Sequence, residues 1–169
     1  MSSKSTELIH HPYQAPEGFA SPAVPVAKGS TVFFKDVAHL RSAAWLDRSG
    51  YTYGLHGTPT TFTLEERIAA LEGGRFCMLV SSGLAAVSLV NLALLKSGDH
   101  MLLPNNVYAP NKTLARHELK AFGVTHALYV PMDGASLAAA ITPNTTVVWL
   151  EAPGSVTLEF PDLRGLVRT

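Results

Sequence analysis

The stretch RFCMLVSSGLAAVSLVNLALLKSGDHMLLP, residues 75–104, decides the fold of this chain. Its apolar runs and its Ser- and Gly-containing breaks predict a strand over 75–80, a helix over 84–96 and a second strand over 100–103. Parallel neighbouring strands require a crossover connection of this size, whereas a tight turn joins only antiparallel strands. We therefore predict a βαβ unit within a mainly parallel sheet.

The same alternation continues along the sequence. It predicts helices over 112–122 and 135–141 and strands over 126–130 and 146–151. Strands that alternate with helices in this way build a sheet that is covered on both faces. The predicted fold class is therefore α/β, a partial three-layer sandwich with a mainly parallel sheet.

The part of the chain before this alternation is less regular. Pro and Gly punctuate its start, so we interpret residues 1–50 as an N-terminal arm and interface segment. Within it we predict a short strand over 31–34 and a helix over 36–45 that is capped by Asp36. The sequence TLEE has the form of a capping box and predicts a further helix over 64–72, which ends at a Gly-Gly pair.

Composition limits the classes of function. The 169 residues are 47% hydrophobic, enough for a core, and the formal net charge is zero with scattered basic residues. We therefore expect neither a nucleic-acid partner nor a membrane-surface protein. The N-terminus lacks the apolar core of a signal peptide, and no apolar run is long enough to span a membrane, so we expect a cytoplasmic protein.

The cysteine and histidine residues predict neither a reactive thiol nor a metal site. Cys77 is the single cysteine and lies in an apolar run, which favours a small core residue over a reactive nucleophile and fits a reducing compartment. Of the seven histidines, His10 and His11 lie in the Pro-rich start and the others stand singly. This spacing does not suit metal ligands, and we expect no metal site.

The loop after the first predicted strand is a candidate anion site. Ligands of parallel sheets bind beyond the carboxyl ends of the strands, and SSGL at residues 81–84 follows such an end. The backbone N–H groups of Gly83 and Leu84 begin a helix and can bind a phosphate. Ser and Gly also begin helices for capping reasons alone, and the stretch matches neither the dinucleotide fingerprint nor the P-loop. Both interpretations stay open.

Two further loops carry candidate binding residues. Tyr108, in PNNVYAPN, can stack on a flat heterocycle, or its ring can be packed with the hydroxyl in water. Tyr53, His56 and Thr58 form a polar cluster that either binds an anion or is a surface or interface loop without a ligand.

A set of motifs stands in a fixed order along the chain. They are YTYGLHGTPT (51–60), LEGG (71–74), SGLAA (82–86), SGDH (97–100), the Tyr108 loop and EAPGS (151–155). In this order they resemble the pyridoxal-phosphate-dependent enzymes of cysteine and methionine metabolism, most of all the cystathionine β-lyase branch and next the cystathionine γ-synthase branch. The resemblance implies that residues 51–169 are the N-terminal portion of the cofactor-binding large domain of the aspartate aminotransferase-like fold, truncated.

The resemblance also implies a binding site for pyridoxal 5′-phosphate. Gly83 and Leu84 would bind the cofactor phosphate through their N–H groups, and Tyr108 would stack on the pyridine ring. Ser155 would lie near the ring hydroxyl. Tyr53 would reach the phosphate of a neighbouring subunit, which implies a homo-oligomer built as a dimer of dimers.

Two departures from the family pattern stand out. Leu55 occupies a place where many members have a phosphate-binding Arg. The lysine that forms a Schiff base with the cofactor, and the aspartate that pairs with the pyridine nitrogen, lie beyond the matched region, so the catalytic residues are unknown. The lysines present are interpreted as solvated side chains: Lys4, Lys28, Lys35, Lys96, Lys112 and Lys120.

The resemblance implies an activity for the whole enzyme. We expect the N-terminal part of a carbon–sulfur lyase that converts cystathionine, a sulfur amino acid, to homocysteine, pyruvate and ammonia, with this chain inactive alone. The alternatives are a fragment of cystathionine γ-synthase or another trans-sulfuration enzyme, and a non-catalytic subunit that pairs with a full-length relative through residues 51–60.

Overall fold

A computed structural model describes residues 6, 17–18, 23–44 and 50–169. The chain divides into two compact units, Met1–Leu79 and Val80–Thr169. Much of the predicted arm, with His10, His11 and the predicted end of the helix at Trp45, lies outside the described residues.

In the first unit, helix α1 spans Val37–Ser42. Asp36 caps it as predicted, because its Oδ1 accepts the N–H of His39 at 2.7 Å. The predicted strand over 31–34 is wrong: this segment forms no strand, and Phe33 is 94% exposed. Apolar β-branched and aromatic residues indicate a propensity, but a strand also needs a hydrogen-bonded neighbour.

Helix α2, Pro59–Glu72, begins earlier than the predicted residue 64. The capping box is formed by Thr58 and Thr61, since the N–H of Thr58 donates to Thr61 Oγ1 at 2.7 Å and the N–H of Thr61 donates to Thr58 Oγ1 at 3.3 Å. Pro59 at the first helical position fits this start because its φ is already helical. The helix ends as predicted at Gly73, which has a left-handed φ of 68°.

The predicted strand over 75–80 is also wrong. The segment forms no strand, and its side chains Phe76 and Met78 are exposed. One of its backbone groups is held by a side chain instead, because the N–H of Leu79 donates to the buried carboxylate of Glu65 at 2.8 Å. Residue pattern alone does not supply the partner that a ladder requires.

The second unit is built on three parallel strands in the order β2-β1-β3. Its elements in chain order are α3 (Gly83–Leu94), β1 (His100–Pro104), α4 (Ala109–Leu114), a π-helical turn (Ala115–Leu119), β2 (Thr125–Tyr129), α5 (Gly134–Ala140), β3 (Thr145–Val148) and α6 (Leu163–Arg168). This order confirms the predicted alternation of strands and helices beyond residue 80.

Both faces of the sheet are covered. Met101 and Leu103 of β1 pack on one side in a cluster with Leu119, and Leu102 packs on the other side with Tyr129. Successive strand residues point to opposite faces, so two clusters on one strand mean two cores. The predicted α/β class with a parallel, doubly covered sheet is confirmed.

Two negative findings apply to the described part of the chain. No helix there is long and apolar enough to cross a membrane. No group of three or more His, Cys, Asp and Glu side chains could hold a metal ion among those residues.

Candidate functional site

The start of α3 leaves two backbone donors open. Ser82 is the N-cap, and its Oγ accepts the N–H of Ala85 at 3.1 Å. Within the described chain, no acceptor bonds the N–H groups of Gly83 and Leu84. A Cβ added at Gly83 would meet no heavy atom within 4 Å, so no other element covers the side of this helix start where a side chain would project. The cap and an anion can therefore use different N–H groups of the same helix start.

Tyr108 stands at the N-cap of α4, just after the carboxyl end of β1. Its backbone N–H donates to Glu151 Oε2 at 3.1 Å, and its carbonyl accepts the N–H of Asn111 at 2.9 Å. Tyr108 as a whole residue is 42% exposed. The backbone is therefore held while the ring stays accessible, which disfavours the interpretation of a packed ring.

Ser155 lies in a loop that is hydrogen-bonded to the Tyr108 loop. Its backbone N–H donates to the carbonyl of Asn106 at 2.9 Å. The Asn106 side-chain amide donates to Thr157 Oγ1 at 2.9 Å and to Glu159 Oε2 at 3.0 Å. The loop is strained, because Val156 has a φ of 66°, in the left-handed region that β-branched residues avoid. The structure thus brings together the two loops that carry Tyr108 and Ser155.

A cavity of about 520 Å³ adjoins these two loops. Its lining includes Asn106, Lys112, Ser155 and Glu159. Lys112 is not simply solvated as predicted: its Nζ donates to the carbonyl of Asn105 at 2.9 Å. In the described chain, Asn106 Oδ1 is buried without a hydrogen-bond partner. Local sequence gives no signal for the roles of Asn106 and Glu151, because their hydrogen-bond partners are distant along the chain.

Tyr53 belongs to the first unit, and its surroundings differ from the predicted cluster. Its ring meets the His56 ring edge-on at 5.6 Å, and His56 Nδ1 lies 3.0 Å from Thr52 Oγ1. Thr58 serves as the N-cap of α2 and not as a member of this pair. Leu55 is 81% exposed. The loop therefore presents a tyrosine and a positioned imidazole to its surroundings.

The first unit also contains a mainly apolar cavity of about 490 Å³. Phe62, Glu65 and Cys77 are among the residues that line it. Cys77 is half-buried rather than fully buried.

The burial of Tyr129 matters for the end of the sheet. Its hydroxyl donates to the carbonyl of Trp149 at 2.6 Å, and burial raises the pKa of the Tyr129 phenol to about 12. The phenol is therefore a neutral donor at physiological pH, and it holds the segment that leads from β3 to Glu151.

The chain is similar in sequence to known proteins that depend on pyridoxal phosphate (PLP). The sequence profile of the Cys/Met metabolism PLP-dependent enzymes matches residues 5–169. A putative cystathionine β-lyase of Saccharomyces cerevisiae is 41% identical over 150 residues, which are 89% of this chain and 42% of that protein. Cystathionine β-lyase MetC of Bacillus subtilis is 35% identical over 96% of this chain and 40% of its own length.

The fold of the chain is also similar to that of a solved structure. The crystal structure of metB from Corynebacterium glutamicum superposes with a TM-score of 0.88 at 30% identity, covering 99% of this chain and 42% of that one. The chain thus spans about two fifths of the length of the relatives it matches. From the profile match, the shared fold and the sequence identity, the chain belongs to the Cys/Met metabolism family of pyridoxal-phosphate-dependent enzymes.

Proposed function

We propose that this chain supplies the phosphate- and ring-binding part of a carbon–sulfur lyase of the cystathionine β-lyase type. The observation that carries the proposal is the pair of open N–H groups at Gly83 and Leu84. A phosphate dianion accepts hydrogen bonds from both and is favoured by the positive end of the helix dipole. The residues present therefore fit the phosphate of pyridoxal 5′-phosphate.

Tyr108 and Ser155 would bind the ring. The accessible Tyr108 ring can stack on a planar heteroaromatic group. The backbone N–H of Ser155 is already used by Asn106, so the side-chain hydroxyl is the group that would bond the ring hydroxyl. Bound in this way, the ring would be held by its face and by its edge.

The chemistry would divide between the cofactor and this chain. When bound, the protonated cofactor ring withdraws electrons from the substrate Cα, so that a sulfur leaving group can depart from Cβ. Gly83 and Leu84 would anchor the phosphate, and Tyr108 would orient the ring plane. The substrate would be cystathionine, and the products would be homocysteine, pyruvate and ammonia.

We place the covalent cofactor lysine outside residues 1–169, so this chain alone would release no pyruvate. The six lysines present lack the Ser-x-Thr-Lys setting that the family resemblance implies. Incubation with pyridoxal 5′-phosphate and cystathionine, followed by a pyruvate assay, tests this directly. Pyruvate release that requires a lysine of this chain would overturn it.

Tyr53 would serve a neighbouring copy. Its hydroxyl is the proposed donor to the cofactor phosphate of that subunit, which makes the active protein a homo-oligomer. The edge-on contact with His56 supports a defined ring orientation, and Leu55 brings no charge to this loop. Phosphate binding would then rest on hydrogen bonds rather than on an ion pair with an Arg at position 55.

The test of the phosphate site uses pyridoxamine 5′-phosphate, which has no aldehyde and does not react with surface lysines. Gly83→Asp places a carboxylate at the first position of α3, where it suits the helix but repels a phosphate. We expect the dissociation constant, measured by equilibrium dialysis, to rise by about tenfold or more.

The matched control makes the same change at the same position of another helix. Gly134→Asp lies at the start of α5, where a Cβ would meet only Thr169 Oγ1 at 3.8 Å, and it should leave binding unchanged. Pyridoxamine, which lacks the phosphate, should not distinguish the two variants. Equal affinity of Gly83→Asp and the unmodified chain for the phosphorylated probe would refute the site.

A further inference from the structure

Asn91 is a buried polar residue in an otherwise apolar helix. It lies in α3, GLAAVSLVNLAL, and is 0% exposed. Its Oδ1 accepts the indole N–H of Trp149 at 2.8 Å, and its Nδ2 donates to Asn111 Oδ1 at 3.0 Å. Asn111 is 1% exposed. One side chain therefore joins α3, α4 and the segment after β3 through two directional hydrogen bonds.

Each partner of Asn91 leads to Tyr108. The backbone N–H of Asn111 donates to the Tyr108 carbonyl at 2.9 Å. Trp149 is two residues from Glu151, whose carboxylate accepts the Tyr108 N–H at 3.1 Å. On the other side, Asn91 shares its helix with Gly83 and Leu84. The hydrogen bonds thus connect the helix with the open N–H groups to the residue with the accessible ring.

A leucine at position 91 would fill the same space without burying polar atoms. Asn has a lower helix propensity than Leu, and burying an amide costs free energy unless all of its bonds are made. A leucine contact is non-directional, whereas the two bonds of Asn91 restrict both the rotation of α3 and its position along α4. The arrangement is therefore suited to precise placement rather than to maximum stability.

We propose that Asn91 is a positioning residue of the cofactor site. Its two side-chain hydrogen bonds hold the phosphate-binding N–H groups of α3 and the Tyr108 ring at a fixed separation, so that one ligand engages both. This inference rests on the proposed function. It extends that function to a residue that itself touches no cofactor.

The test separates placement from stability. Asn91→Leu leaves Asn111 Oδ1 and the Trp149 indole N–H unpaired and should destabilise the chain. The triple variant Asn91→Leu/Asn111→Leu/Trp149→Phe removes all three polar groups together, so no orphaned group remains and most of the thermal stability should return. A merely structural role predicts that ligand binding returns with it.

Two probes report on placement. Pyridoxamine 5′-phosphate spans the N–H groups and the ring, whereas inorganic phosphate needs the N–H groups alone. In the triple variant we expect the dissociation constant of the first to rise about tenfold, because two half-sites that are misaligned lose their mutual reinforcement. That of inorganic phosphate, followed by ³¹P NMR, should change less than about twofold.

Leu137→Ala is the matched control. Leu137 is also buried, at 2% exposure, but belongs to the core cluster on the other face of the sheet, so the change should lower stability without changing the ratio of the two affinities. Equal loss or equal retention of both ligands in the triple variant would overturn the positioning role. If the unmodified chain binds neither probe, the proposed function itself is refuted. If the unmodified chain binds both probes, the result for the triple variant refutes or supports the positioning role alone.

Discussion

Gly154→Ala offers a sharp test of how the Ser155 loop is held. A Cβ at this position would collide with the Asn106 side-chain amide and would lie 2.7 Å from Asn106 Cγ and 2.9 Å from Thr157 Oγ1. Real Cβ atoms do not approach other atoms so closely, so Asn106 must move. We therefore expect a loss that far exceeds the effect of one added methyl group.

The magnitude follows from the hydrogen bonds that Asn106 would lose. Its amide donates to Thr157 Oγ1 and to the carboxylate of Glu159. A neutral bond contributes about 1 kcal/mol and a bond to a charged group about 2 kcal/mol. The free energy of unfolding should therefore fall by roughly 3 kcal/mol.

Urea denaturation followed by circular dichroism measures this change. Gly134→Ala is the control, because a Cβ there makes only an ordinary contact at 3.8 Å and the change should be neutral or stabilising. A second variant, Gly154→Ala/Asn106→Ala, removes the colliding amide. It should be less destabilised than the sum of the two single variants. If Gly154→Ala alone matches the control, the close packing of this loop on Asn106 is refuted.

Two further predictions concern the sheet. Leu102→Ala empties a site that is 0% exposed on the central strand and should cost about 2–5 kcal/mol, measured by urea denaturation; a cost below that of the exposed change Leu158→Ala would contradict the central core. The raised pKa of Tyr129 means that the folded chain holds this proton more tightly than the unfolded chain, so its contribution to stability is complete below about pH 10 and is lost as the pH rises toward about 12. Tyr129→Phe should flatten this decline of stability with pH, measured by thermal unfolding scans at a series of pH values. An unchanged slope would refute the role of the Tyr129 phenol.

Local sequence predicted those features that depend on near neighbours. Asp36 caps α1 by a bond to a residue three positions away, and Gly73 ends α2 because it adopts a left-handed φ. The helices and strands beyond residue 80 follow from hydrophobic runs and the breaks between them. In each case the energetics are contained within one turn or one element.

The errors share a different cause. Residues 31–34 and 75–80 have the composition of strands, yet neither segment pairs with another described strand. Helix α2 begins earlier than predicted because Thr58 and Thr61 form the capping pair. Thr63, the predicted capping residue, donates its hydroxyl to the Pro59 carbonyl at 2.7 Å. A pattern reports propensity, whereas pairing and cap choice depend on which competing partner is within reach.

By itself, the sequence determined the α/β class, the order of the family motifs and the helix start at Gly83 and Leu84. Only the tertiary structure decided which polar residues surround the proposed cofactor site. Asn91 meets Trp149 across 58 positions of sequence, and Asn106 meets Glu159 across 53. Such bonds have no local signal, because they exist only after helices have packed on the sheet and brought distant donors and acceptors within hydrogen-bond range.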